Sequence, residues 1–199
     1  MQKRNNSVGR PKTFEKDEIL HLAMLHFWEH GYNSTNLDEL LISMGIKKSS
    51  FYRTFKSKEE VFSLSLDLYR KETFSWLSDL QHSIGTKQAL LEMVKISIYQ
   101  VKEEGKVKGC LLMNSGKECY HKHPTLSHQI SVEFEAILAF ITTFIGQAQE
   151  KKEIVNALEA KKIAMRYLTI YNGVIMMLQA GATVDDVSES LEMVETLLE

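Results

Sequence analysis

The residues with the most chemistry to offer lie between positions 47 and 58. In the run Lys47-Lys48-Ser49-Ser50-Phe51-Tyr52-Arg53-Thr54-Phe55, Phe51 and Phe55 stand four apart and so share one helical face. The other face offers Lys48, Ser49, Tyr52 and Arg53: cations, a small hydroxyl and a phenol. Such groups bond phosphate oxygens, and Lys and Arg also reach base edges in the major groove. A small polar residue at a helix start lets the free N-terminal amides approach a phosphate. This is chemistry for gripping a polyanion, not for breaking a bond. The sequence holds no glycine-rich phosphate loop, no G-x-S-x-G, no H-E-x-x-H and no paired metal-ligand motif. The expectation is therefore a protein that is not an enzyme, with no cofactor and no bound metal.

Two further groups could do chemistry. Cys110 stands where a helix begins, with Lys106 and Lys108 nearby in sequence. A helix dipole and cations lower a thiol pKa, which would make this cysteine reactive; the alternative is a small buried residue that packs. Cys119 and His123 form an i, i+4 pair suited to a soft metal, but no third ligand has matching spacing and Pro124 interrupts the helix. His21, His26 and His30 read as surface residues that do not share a face.

The elements that must position these groups are helices. Only 2 prolines and 10 glycines occur in 199 residues, 44% of them hydrophobic, which favours long helices around a real core. Apolar spacing places helices near 15–30, 37–43, 48–55, 57–81, 87–103, 110–121, 126–151, 153–179 and 184–198. Asn36 with Glu39, Ser57 with Glu60 and Thr183 with Asp186 mark three helix starts. No segment alternates as a strand would. The second and third helices are short and joined by a tight turn at Gly45, which is the helix-turn-helix pattern. In that pattern the second short helix, here Lys47 to Phe55, enters the major groove.

Charge is divided unevenly. Residues 1–60 carry ten basic and eight acidic side chains, the remainder fourteen and eighteen, and residues 1–14 carry four bases and no acid. A basic front on an acidic body points to a polyanion contact at the N-terminus. Residues 163–182 are apolar enough to approach a membrane span, but Arg166, Asn172, Gln179 and two glycines favour a helix in a protein interface. The reading is no membrane, no secretory signal and, with only two cysteines, a reducing cytoplasm.

The order and spacing of Ala23, Phe27, Gly31-Tyr32-Asn33-Ser34-Thr35, Leu40, Gly45-Ile46, Ser50-Phe51-Tyr52 and Phe55-Lys56-Ser57-Lys58-Glu59 resemble the DNA-binding domain of the TetR family. The resemblance covers residues 10–65 and departs from the family pattern at Leu41, Lys47 and Ser49. It implies an all-α fold: an N-terminal three-helix helix-turn-helix domain plus a C-terminal helical ligand-binding and dimerisation domain. The expected division is a disordered basic arm over 1–12, the DNA-binding domain over 13–56, and the effector-binding and dimerisation domain over 57–199. The resemblance further implies a homodimer on double-stranded operator DNA. Thr35 would touch phosphate, Lys48, Ser49, Ser50 and Arg53 would face the groove, Tyr52 and Lys58 would anchor phosphates, and Lys47 is counted with them as a DNA-binding residue.

Beyond residue 65 the resemblance thins. Gly109-Cys110-Leu111, Asn114 and Glu118 are similar to a G-C-L-x-x-N…E stretch of one TetR branch, some members of which sense electrophiles through the cysteine. A small-molecule effector is expected among the fourth to eighth helices, lined by Trp76, Met93, Cys110, Met113, Phe134, Phe144, Tyr167, Tyr171 and Met177; each fits an ordinary core equally well. The last two helices should pair across a two-fold axis through Tyr167, Tyr171, Val174, Leu178, Val187, Leu191, Val194 and Leu198. The function expected is a repressor released from its operator by an apolar or electrophilic molecule. The alternatives are a thiol sensor using Cys110, or a helical interaction module that binds no DNA.

Overall fold

A computed structural model describes residues 16–199. The basic arm expected over 1–12 lies outside the described residues. Among these, the regular structure is helical: α1 (Lys16–His30), α2 (Leu37–Met44), α3 (Lys48–Thr54), α4 (Lys58–Ile84), α5 (Thr86–Glu104), α6 (Leu111–Cys119), α7 (Pro124–Glu150), α8 (Ala160–Gln179) and α9 (Val184–Leu197). The chain is all-α, as its lack of strand alternation requires.

The starts of three helices follow from short polar side chains. Asn36 accepts the Glu39 amide while Glu39 reaches back to the Asn36 amide, a closed capping box on α2. Thr183 and Asp186 do the same for α9. Ser57 accepts the Glu60 amide at α4, but Glu60 bonds the Lys56 amide instead of closing the box.

Two boundaries differ from expectation. Pro124 does not merely stop α6; it is the first residue of α7, where its fixed φ and missing N–H cost nothing. Residues 153–159 are not the start of α8. The Gln149 side chain donates to the carbonyls of Asn156 and Leu158, and the Asn156 side chain donates to Leu197, so local polar bonds hold an irregular link there.

Two apolar clusters fill the interior. The head cluster joins Ala23, Met24 and Phe27 of α1, Leu40 and Met44 of α2, Phe51 of α3 and Phe62 of α4 to Leu111 and Cys119 of α6. The body cluster is built from α5, α7, α8 and α9 with Leu77 of α4. α4 therefore serves both, its first half in the head and its second in the body. The long apolar α7 is able by length to cross a membrane, yet its Leu138, Ile141, Phe144 and Ile145 are buried in the body core. Its buried Glu133 accepts from Arg70 Nε of α4 (2.6 Å) and Gln129 Nε2 (2.7 Å).

The residues expected to form a dimer seam lie elsewhere. Tyr167, Tyr171, Val174, Leu178, Val187, Val194 and Leu198 are buried within the chain, and Leu191 is half-buried. They form the most apolar stripe of α8 and α9, so the body core claims them first. The outward face carries Met165, Met176, Met177 and Met193 instead.

Candidate nucleic-acid interface and effector cavity

α3 is held to the head by Phe51, fully buried, and by Phe55, whose ring lies 5.6 Å from it. That packing turns Lys47, Lys48, Ser49, Tyr52 and Arg53 outward, all exposed, with Ser50 half-buried. Lys47 is the N-cap and makes no side-chain cap bond, so its amine stays outside the helix. Neither Lys47, Lys48 nor Arg53 forms an ion pair with another described residue. From Lys47 to Lys56 the chain carries four bases and no acid. The surface is thus a compact cation patch built on a short helix, with a phenol at its centre.

Thr35 and Lys58 differ from expectation. The Thr35 hydroxyl is buried and donates to the Gly31 carbonyl (2.6 Å), which closes the α1–α2 turn instead of facing outward. Lys58 Nζ donates to the carbonyls of Tyr32 (2.9 Å) and Thr35 (2.7 Å) and stands 4.1 Å from the Tyr32 ring centroid. Desolvation lowers its pKa. A lysine so occupied fixes the loop that aims α2 and α3. Lys58→Met is therefore expected to weaken DNA binding without changing its salt slope; a slope reduced by about one would restore the phosphate contact.

The same loop is gripped from α6 and the turn that follows it. Glu118 Oε2 accepts the Asn33 amide (3.0 Å), Asn33 Nδ2 donates to the Glu118 carbonyl (3.2 Å), and His123 Nε2 donates to Asn33 Oδ1 (2.7 Å). Gly31, at φ +79°, makes room for this: a Cβ there would lie 2.1 Å from Glu118 Oε1. No sequence signal short of the fold itself brings 33 beside 118 and 123. His123 Nε2 is thereby engaged by Asn33, and among the described residues no three metal-ligating side chains converge. His26 and His30 correct the reading that they share no face: four apart on α1, their rings lie 4.5 Å apart.

The body holds an inner cavity of about 30 Å³, room for roughly two water molecules. Met93, Cys110, Met113, Phe134 and Tyr171 line it, five of the nine residues expected. A more open cleft of about 270 Å³ lies beside it, sharing Tyr69, Thr73, Met93 and Tyr171 and adding Trp76. Three expected residues line neither. Tyr167 is core, its hydroxyl donating to the Leu90 carbonyl (2.9 Å); Phe144 packs against Phe140 in the body core; Met177 faces outward. Tyr69, Thr73, Phe74 and Trp28 were missed. Trp28 comes from α1, just off the buried Ala23–Phe27 stripe, and its indole N–H donates to the Gly109 carbonyl (2.9 Å).

Cys110 is the N-cap residue of α6, as its position suggested, but makes no side-chain cap bond, and burial pushes its thiol pKa up, outweighing the opposing pull of the neighbouring Met113 and Leu112 amides and Tyr69. The expected lowering fails because burial outweighs the helix end. Cys119 is pushed up to about 11, first by burial and then by Glu118 and Glu59. Both thiols should therefore alkylate with iodoacetamide at neutral pH at least about tenfold more slowly than in the unfolded chain. Equal rates would overturn this assignment.

Comparison with known proteins agrees with this architecture. Residues 19–63 match the family described as bacterial regulatory proteins, tetR family, and residues 86–193 match the tetracyclin repressor-like C-terminal domain. The chain is 27% identical over 121 residues to the uncharacterized HTH-type transcriptional regulator YezE of Bacillus subtilis, covering 60% of this chain and 62% of that protein. It is 44% identical over 63 residues to the HTH-type transcriptional repressor ComR of Escherichia coli, covering 32% of this chain and 30% of that one. The matches thus span less than two thirds of these relatives. Among solved structures, a cysteine mutant of the TetR family transcriptional regulator CifR, complexed with 26-bp operator DNA, superposes with a TM-score of 0.74. That match covers 96% of this chain and 98% of that one at 22% identity, a likeness of fold. With a family match over more than half its length, on a helical head and body of this form, the chain belongs to the TetR family of bacterial transcriptional regulators.

Proposed function

We propose that the chain is a cytoplasmic, ligand-responsive repressor that binds duplex operator DNA as a homodimer and releases it when a small molecule enters the body. The observation that carries this reading is the exposed, acid-free face of Lys47, Lys48, Ser49, Tyr52 and Arg53, with Ser50 at its edge. Lys48 and Arg53 reach base edges or phosphates, and Tyr52 bonds phosphate. The repressor ComR and the operator-bound CifR favour the same reading. The outward methionines of α8 and α9 supply the two-fold contact, which sets two copies of α3 about 34–36 Å apart on successive major grooves.

Release follows from linkage. A ligand that fits better when the heads are wrongly spaced weakens DNA binding by the factor by which DNA weakens the ligand, commonly about 1–3 kcal/mol. The inner cavity must enlarge to admit any ligand, and its walls on α4 and α6 also hold the head. One observation favours the thiol alternative: Cys110 lines that cavity. An electrophile would have to enter first, so the apolar pocket governs access in either case. An interaction module without DNA would need the α3 face covered, which its polar run of four bases and no acid does not favour.

The test is fluorescence anisotropy with the DNA flanking the protein's own gene, titrated over a range of salt. The double variant Lys48→Ala/Arg53→Ala is expected to lose affinity and to lower the slope of log K against log salt by about two. A slope unchanged from wild type would remove these two residues from the interface.

A further inference from the structure

The open cleft beside the inner cavity lies at the seam between head and body, since Trp28 of α1 forms part of its wall with α4 and α5. Its surface is aromatic: the indoles of Trp28 and Trp76 and the phenols of Tyr69 and Tyr171. Aromatic faces carry a negative quadrupole that attracts cations. Glu72 is the one charged side chain among the lining residues.

Two hydroxyls of the cleft are left as acceptors. Thr73 Oγ1 donates to the Tyr69 carbonyl (2.8 Å) and Ser97 Oγ to the Met93 carbonyl (3.4 Å). Both hydroxyls spend their protons on their own helices and keep lone pairs for an occupant. The Trp28 N–H is taken by Gly109. Glu72 Oε1 lies 2.9 Å from His21 Nδ1, and its second oxygen has no partner among the described residues. The donors on offer are the Gln100 amide and the Tyr69 and Tyr171 hydroxyls. Two opposing groups stand close by, both outside the lining: His21, which pairs with Glu72 when protonated, and Lys108 Nζ, 5.9 Å from the Trp28 ring centroid. The volume of about 270 Å³ is just below the roughly 300–1,000 Å³ of drug-sized sites, so the fit is to one or two fused rings.

We propose that this cleft binds a small planar aromatic carrying an ammonium group, its rings against the aromatic wall of Trp28, Trp76, Tyr69 and Tyr171 and its N–H donors on Glu72. The proposal rests on the ligand-responsive reading for its regulatory meaning, but the cleft's selectivity is a separate property. Because Trp28 belongs to α1, the occupant touches the DNA-binding head directly, without relay through α4.

The test is calorimetric titration of the full chain with three matched probes: 2-naphthylmethylammonium, 2-naphthalenemethanol and 2-naphthoate. The ammonium is expected to bind at least about tenfold tighter than the alcohol, with the carboxylate weakest. Glu72→Gln, a conservative change at a half-exposed site, is expected to bring ammonium and alcohol within about threefold of each other. Equal binding of the alcohol, tighter binding of the carboxylate, an undiminished preference in Glu72→Gln, or no binding by any probe overturns the proposal. Operator anisotropy with the ammonium probe is read separately. Selective binding without operator release upholds the cleft assignment and defeats the release reading.

Discussion

Phe51→Ala is expected to abolish operator binding while the body stays folded. The Phe51 side chain is wholly buried and ties a seven-residue helix to the rest of the head. So short a helix has no stability of its own; packing supplies it. Truncating a buried phenylalanine costs about 3–5 kcal/mol, a large share of what a small domain has. With the anchor gone, Lys48 and Arg53 keep their charge but lose their common geometry. Circular dichroism should show a small loss of helix at low temperature, and anisotropy should show only weak, salt-sensitive DNA binding. Phe51→Leu should restore most of both. Wild-type operator affinity in Phe51→Ala would falsify the assignment of α3 as the recognition element.

The second large effect belongs to the ion pair between α4 and α7. Arg70 bonds both Asp67 and Glu133, and the Glu133 side chain is only 5% exposed. Arg70→Met removes the cation and leaves that carboxylate to Gln129 alone. Breaking one side of a buried pair costs about 3–5 kcal/mol, because an uncompensated charge remains out of water. Glu133→Gln in the same background removes the charge and should recover much of the loss. The readout is urea denaturation of wild type, both single variants and the double variant. Strict additivity of the two substitutions would show that the pair is not coupled.

Much of the head was legible in the sequence because its rules are local. Phe51 and Phe55 four apart, the Asn36–Glu39 box and Gly45 each act within one turn of chain, so the two short helices and the outward Lys47–Arg53 face follow directly. Thr35 and Lys58 take bonds that the sequence does not show, for a matching reason. Their polar ends looked free in the chain, but carbonyls of the α1–α2 turn lie within their reach once α1 and α4 pack together.

The effector half was legible only in kind. Its apolar stripes predict helices, but every stripe-bearing residue is equally suited to a core, a cavity wall or a subunit contact. Tyr167 and Tyr171 sit one turn apart on α8; one bonds Leu90 in the core and the other faces the cavity.

By itself the sequence determined the helical class, most helix starts and the cationic face of α3, since these depend on periodicity and on side chains within four residues of one another. Tertiary packing alone decided that Cys110 is shielded rather than activated, that α6 holds the α1–α2 loop through Glu118, and that Trp28 of the head reaches the cleft. Those outcomes depend on burial and on contacts across 80 or so positions of chain, such as Trp28 with Gly109, and desolvation is a property of what surrounds a residue, not of what precedes it.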